Sequence, residues 1–186
     1  METSLIHRQW QPSSRSQWTV AAVTIVVCAA LALGLPRLAE ATAPEDTEVA
    51  AGERIEMEGV SVEVPAGWVL PADAVVIALE KGSAKFLLFL AGADPTPPTD
   101  AVVADAANYT DATVGEATPF TTDSGLAGAS VIVTDASGFT TMLYAFSDGT
   151  NLVRGQTSAP TDEWGATESD VQAMLVTVEI TGVPTP

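Results

Sequence analysis

The chain alternates apolar and polar residues where a folded domain is predicted to begin. Between residues 59 and 68 it reads "GVSVEVPAGW", so that three valines alternate with Ser61 and Glu63. An alternation at period two predicts a half-buried β-strand, and the Pro-Ala-Gly that follows predicts a turn. We therefore place the start of a folded domain at Gly59.

Two short apolar runs follow this strand. They are "AVVIALE" (74–80) and "KFLLFLAG" (85–92), and Lys81-Gly82-Ser83 separates them. Both are of strand length, rich in β-branched or aromatic residues and bounded by a turn signal, which favours a β-hairpin over a helix.

A proline-rich break, "DPTPPTD", ends the hairpin and precedes a predicted helix. Either Thr99 or Asp100 can cap its N-terminus. Val102, Ala106 and Tyr109 then fall on one face at helical spacing. We expect this face to pack against the sheet.

The second half of the chain has the regularly spaced turn signals of a β-meander. Strand-length runs "ASVIVTD", "FTTMLYAF" and "NLVRGQT" lie between turn signals "DSG", "DASG" and "SDGT". Thr167 to Asp170 then resembles a capping box, and Val171, Met174, Leu175 and Val178 form the apolar stripe of a closing helix. The final "VTVEI" either continues this helix or forms a last short strand. The domain is predicted to span 59–182, with 183–186 as a C-terminal tail.

The N-terminal part contains an uncharged window of 21 residues, 16–36, whose densest apolar run is 18–36. As a helix, this window extends about 31 Å, which matches a hydrocarbon core of about 30 Å. Arg8 and Arg15 precede it, whereas acids dominate after it. Positive residues stay on the cytoplasmic side. This pattern predicts a signal-anchor: a cytoplasmic tail (1–17), one transmembrane helix (18–36), an acidic tether (37–58) and an extracytoplasmic domain.

A cleaved secretory signal is the alternative interpretation of the N-terminal part. Ala41-Thr42-Ala43 fits a small-x-small cleavage site. The apolar run, however, is longer than the roughly 7–15 residues of a signal core. We therefore favour the uncleaved anchor in the cell membrane.

Two residue types are missing from the predicted outer domain. Cys28, the single cysteine, lies in the apolar run, and His7, the single histidine, precedes it. Disulfides, thiol catalysis, Ser-His-Asp chemistry and zinc sites built from Cys or His are therefore excluded for this domain. We predict no cofactor and no metal site.

The charge of the outer part restricts its partners. Beyond Pro36, five basic residues stand against 23 acids. Such an excess repels nucleic acids and anionic lipid surfaces. We predict no nucleic-acid partner.

The order of elements resembles a known fold family. A strand leads into "VPAGW", a hairpin and a helix follow, and after the meander a closing helix leads into "MLVTVEI". This arrangement resembles the PsbP-like α/β/α sandwich of small exported actinobacterial proteins that are anchored in the membrane. The resemblance covers roughly residues 59–180. It implies an α+β fold, in which helices flank an antiparallel sheet, and it leaves the function open because that family is functionally scattered.

One basic residue is the candidate ligand contact. Arg154 is the only base from Phe86 to the C-terminus, and it shares a strand face with Leu152 and Gln156. It either forms an internal ion pair with one of the many acids or anchors a carboxylate or phosphate. We expect a pocket between the helix at 99–109 and the sheet, or beside Arg154.

Two classes of function remain. We favour a non-catalytic binding or accessory module of the bacterial cell envelope, which would bind an envelope protein or a small anionic ligand. The alternative is a carboxylate-dependent hydrolase of envelope glycans. The acids closest in sequence are Asp162 with Glu163 and Glu168 with Asp170, and all of them lie where helix starts favour acids. We predict no catalytic residues.

Overall fold

The computed structural model describes residues 46–182. The predicted cytoplasmic tail, the transmembrane helix, most of the tether and the C-terminal tail at 183–186 lie outside this range. Among the described residues, no helix has the length and apolar character needed to cross a membrane.

Residues 46–182 form twelve strands and two helices. The strands are β1 (Thr47–Glu48), β2 (Glu53–Met57), β3 (Val60–Val64), β4 (Val69–Leu70), β5 (Ile77–Lys81), β6 (Ala84–Ala93), β7 (Ala112–Val114), β8 (Thr118–Thr121), β9 (Ala127–Asp135), β10 (Phe139–Ser147), β11 (Asn151–Pro160) and β12 (Glu179–Ile180). The helices are α1 (Pro98–Ala106) and α2 (Trp164–Val176).

Most of the strands belong to one antiparallel sheet. Its order is β1-β4-β5-β6-β11-β10-β9-β7, and β8 also pairs with β9. β2, β3 and β12 form a separate small sheet in the order β12-β3-β2. The predicted hairpin corresponds to β5 and β6, and the predicted meander corresponds to β9, β10 and β11. In both cases the consecutive strands pair with each other in the large sheet, so both predictions are confirmed.

The large sheet is covered on both faces. On one face, α1 packs its buried Ala101, Val102 and Ala106 against β9 and β10. On the other face, α2 and the small sheet bury a larger core. The result is an antiparallel α+β fold in three layers, although one outer layer combines a helix with three strands.

Glycine is required at one position in the larger core. The Tyr144 side chain on β10 is fully buried and donates its hydroxyl to the Leu87 carbonyl oxygen on β6 at 3.0 Å. β11 lies between these two strands, and Gly155 on β11 is paired with Tyr144. A Cβ at Gly155 would overlap both the Tyr144 ring and the Leu87 carbonyl oxygen. The absence of a side chain at Gly155 is therefore what lets the Tyr144 ring lie flat across β11.

The "VPAGW" turn is joined to α2 by a buried indole. Trp68 is fully buried, and its Nε1–H donates to an Asp170 carboxylate oxygen at 3.0 Å. The Lys81 ammonium contacts the same oxygen at 2.7 Å and also donates to the Ala66 carbonyl oxygen. The "VPAGW" turn and the closing helix are thus held together by one carboxylate.

The predicted start of the domain at Gly59 is wrong. Glu58 and Gly59 have φ of 50° and 79° and form the two-residue turn that joins β2 to β3. Two successive residues with positive φ are typical of a tight hairpin turn. Residues 47–57, part of the predicted tether, therefore belong to the folded domain.

The predicted caps of both helices also differ from the structure. α1 begins at Pro98, ahead of Thr99 and Asp100, because proline is well suited to the first helical position. α2 begins at Trp164, so that Thr167 to Asp170 lie inside the helix. Of the two alternatives for the final segment, the structure shows the short strand, β12.

We expect Gly155→Ala to lower the free energy of unfolding by about 3 kcal/mol or more, because the added methyl group overlaps the backbone of β6. The matched control is Gly165→Ala in α2, where a Cβ has open space. There, alanine should stabilise by roughly 0.5–1 kcal/mol. Urea unfolding of both variants measures the difference, and equal stabilities would contradict the packing described for Tyr144.

We expect Asp170→Ala to destabilise the domain by about 1–3 kcal/mol, since it leaves the buried Trp68 indole N–H without an acceptor. Glu168→Ala, two residues earlier in α2, removes only a hydrogen bond to Gln172. Its cost should stay within about 0.5 kcal/mol. Thermal unfolding followed by tryptophan fluorescence compares the two variants.

Candidate functional site

A cleft lies at the edge of α1, where the helix stops covering the large sheet. α1 covers β9 and β10, whereas the same face of β6 and β5 is left open. The cleft encloses about 340 Å³ between the C-terminal end of α1 and strands β6, β10 and β11. We call it the α1 cleft. Its position agrees with the predicted one, since it lies both between the helix and the sheet and beside Arg154.

The floor of the α1 cleft is apolar and its rim is polar. Leu87 and Phe89 of β6 and Leu143 of β10 form the floor. They face the cleft because side chains two residues apart on a strand point to the same side of a sheet. The rim consists of Asp105, Asn108, Tyr109, Arg154 and Gln156.

A second hollow extends the cleft along the same strands. It encloses about 250 Å³ and is lined by residues of β5, β6 and β11, among them Glu80, Lys85 and Ser158. The α1 cleft and this hollow share Leu87 and Gln156. Together they form an elongated groove on the open face of the sheet.

Arg154 forms an internal ion pair at the rim of the cleft. Its Nη1 donates to an Asp105 carboxylate oxygen at 2.7 Å, and its Nη2 lies 3.7 Å from a carboxylate oxygen of Asp94. About 28% of the Arg154 side chain is exposed. The guanidinium is therefore shared between two carboxylates, and the three side chains together carry a net negative charge.

Hydrogen bonds and burial shift the pKa values of two groups at or beside the α1 cleft, Asp94 and Tyr109. Hydrogen bonds from Thr96, together with a smaller effect of Arg154, lower the pKa of Asp94. Burial, followed by the nearby carboxylates of Asp105 and Asp135, raises the pKa of Tyr109. The Tyr109 hydroxyl therefore keeps its proton and lies 3.4 Å from the Gln156 side-chain oxygen.

Every basic residue in the described range has a carboxylate partner. Besides Arg154, these are Arg54 with Glu179 at 3.4 Å, Lys81 with Asp170 at 2.7 Å and Lys85 with Glu80 at 3.0 Å. Within residues 46–182, an anionic ligand would therefore find no basic side chain whose charge is uncompensated.

The acid pairs considered for hydrolysis have other places in the structure. Asp162 and Glu163 lie in the turn that leads into α2. Asp170 accepts bonds from Trp68 and Lys81, and Glu168 accepts one from Gln172. The α1 cleft is lined by one carboxylate, Asp105, which is paired with Arg154. The described residues also bring together no group of three or more potential metal ligands of the Cys, His, Asp or Glu type.

The sequence singles out Arg154 as a candidate contact and places Gln156 on the same strand face and Tyr109 on the helix face, but it gives no sign of the other residues of the cleft. Leu87 and Phe89 were visible as alternate positions of an apolar run, yet both faces of that run looked equally apolar. Asp105 gave no signal, because an acid in a helix is an ordinary surface residue.

The comparisons with known proteins concern the fold. No protein-family model matches the sequence, and no curated protein is significantly similar to it. Among solved structures, LpqN from Mycobacterium tuberculosis, described as involved in cell envelope biogenesis, is 13% identical with a TM-score of 0.51, covering 77% of this chain and 94% of LpqN. The PsbP protein of Synechocystis, CyanoP, is 14% identical with a TM-score of 0.49, covering 71% of this chain and 94% of CyanoP.

At such low identities a structural likeness shows the fold alone. The likeness to LpqN extends over 77% of this chain. It confirms the prediction that was made from "VPAGW" and "MLVTVEI". The described domain has a PsbP-like fold.

Proposed function

We propose that this protein is a non-catalytic binding or accessory module of the bacterial cell envelope, and that it binds its partner in the α1 cleft. In this proposal, the segment at 18–36 anchors it in the membrane and the domain lies outside the cytoplasm. The observation that carries the proposal is the cleft itself, a preformed concavity with an apolar floor and convergent polar groups at its rim. This combination is the usual character of a ligand site.

The chemistry of the cleft favours binding over catalysis. A nucleophilic serine or cysteine with an adjacent base is not among its lining residues. General acid catalysis by a carboxylate needs a raised pKa, whereas Asp94, beside the cleft, has a lowered one. Asp105 is already engaged by Arg154.

Two observations support the envelope as the place of action. The sequence contains an apolar run long enough to span a bilayer, with its basic residues on the N-terminal side. LpqN, which shares the fold, is described as involved in envelope biogenesis. The partner itself is identified by what contacts the cleft in native membranes.

Site-specific photo-crosslinking tests the proposal in native membranes. A photoreactive residue replaces Gln156, at the rim of the cleft, in the full chain. The matched control carries the same residue at Ser169, which is exposed on α2, the helix that covers the other face of the sheet. We expect a discrete adduct from position 156 that is absent from position 169. Equal labelling from both positions, or none from 156, would exclude the α1 cleft as the binding site.

The role of Arg154 is tested by Arg154→Ala. Because the guanidinium separates two carboxylates, we expect this variant to lower the free energy of unfolding by about 1 kcal/mol. The loss should become smaller at high salt, since salt screens the repulsion between the two carboxylates. Lys85→Ala, which removes a more exposed pair, should stay within about 0.5 kcal/mol. If Arg154→Ala instead leaves stability unchanged and abolishes the adduct at Gln156, Arg154 is a ligand contact, as an anionic ligand would require.

A further inference from the structure

We propose that the occupant of the α1 cleft is an extended peptide segment of a partner protein that presents a lysine or arginine next to an apolar side chain. This inference rests on the proposed function and names the chemistry of the partner. Three independent features of the groove support it.

The first feature is the charge at the rim. Asp105 lines the cleft, Asp94 lies just beside it, and both contact the single guanidinium of Arg154, so one negative charge is left over at this side of the cleft. The C-terminal end of α1 adds to it, because helix C-termini carry a partial negative charge and the last turn of α1 contains no basic residue. Since all four bases of residues 46–182 are already paired, this electronegative rim attracts a cation and disfavours an anion.

The second feature is the apolar floor directly beside this rim. Leu87, Phe89 and Leu143 present aliphatic and aromatic surface. The methylene groups of lysine or arginine pack on such a surface while the charged group stays at a polar edge. The rings of Phe89 and Tyr109 can in addition attract a cation through their faces. A hydrated metal ion or a small inorganic cation would gain nothing from this floor.

The third feature is the length of the groove. The second hollow continues the α1 cleft along β6 and β11 as far as Lys85 and Ser158. From Phe89 to Lys85 the strand extends about 13 Å, which is the length of roughly four residues of an extended peptide. Glu80 lies in this second hollow and is half exposed beside Lys85. A linear segment fills both hollows, whereas a compact ligand fills only one.

The direct test measures binding of synthetic peptides to the full chain in nanodiscs of zwitterionic lipid. The probe is a fluorescent ten-residue peptide with three lysines and two leucines in a glycine-serine background. Its control replaces each lysine by glutamate. We expect the anisotropy of the lysine peptide to rise on titration with the protein, and that of the glutamate peptide to stay at its free value. Equal binding of the two peptides would refute the inference.

Charge variants separate the groove from general attraction by an acidic protein. Gln156→Lys places a cation at the rim, and Ser169→Lys adds the same charge on the exposed side of α2, where it lowers the overall negative charge equally. We expect Gln156→Lys to weaken binding of the lysine peptide at least about tenfold and Ser169→Lys less than about twofold. Asn108→Lys, exposed at the end of α1, should repeat the effect from the opposite wall. Similar losses at positions 156 and 169 would show nonspecific attraction and overturn the inference.

The crosslinking experiment distinguishes failure of this inference from failure of the proposed function. If Gln156 crosslinks to a partner and mass spectrometry finds a basic peptide in the adduct, both stand. If the adduct contains a neutral glycan or a small anion, the peptide inference is wrong and the binding module stands. If position 156 gives no adduct, both are wrong.

Discussion

The fold depends on the burial of strand β10 on both faces. Eight of its nine residues are buried, so neither face can be left to water without exposing Leu143 and Ala145 on one side or Tyr144 and Phe146 on the other. Burial of apolar area is the main favourable term in folding. One layer cannot cover two faces of a sheet, and this requirement explains why the domain needs α1 on one side and α2 with the small sheet on the other.

The layers on the two faces of the large sheet differ in extent, and this difference creates the groove. α1 has nine residues, which is about 13 Å of helix. It covers β9 and β10, but the sheet continues through β11, β6 and β5. The layer on the opposite face, α2 with the small sheet, is wider, and the bond between Trp68 and Asp170 fixes α2 to the "VPAGW" turn. The rigid side of the sheet thus supports an open side, where a ligand can contact strands whose positions are already determined by the core beneath them.

The sequence predicted those parts of the fold that local patterns determine. Strand-length apolar runs and the glycine-containing turns between them identified the hairpin and the meander, because each strand is defined by its own residues. β2 was missed because its sequence, "ERIEM", is an edge strand that only pairing with β3 makes recognisable. Asp170 was mistaken for a capping residue because its acceptor role toward Trp68 joins residues 102 positions apart. The partners of Arg154 could not be predicted for the same reason, since many acids were available and only the packing of α1 selects Asp105.

The scarcity of basic residues connects the fold to its surface chemistry. Each of the four described bases is used inside the domain, to hold β2 to β12, the "VPAGW" turn to α2, the β5–β6 hairpin, or α1 to β11. What remains outside is a surface of nearly one sign. Such a surface repels copies of itself and anionic polymers, and it accelerates the approach of a cationic partner without giving it a fixed position. A fixed position needs apolar contact and shape, and the groove combines both with an excess of negative charge. Long-range attraction by the whole domain and short-range fit at the α1 cleft would therefore select the same class of partner.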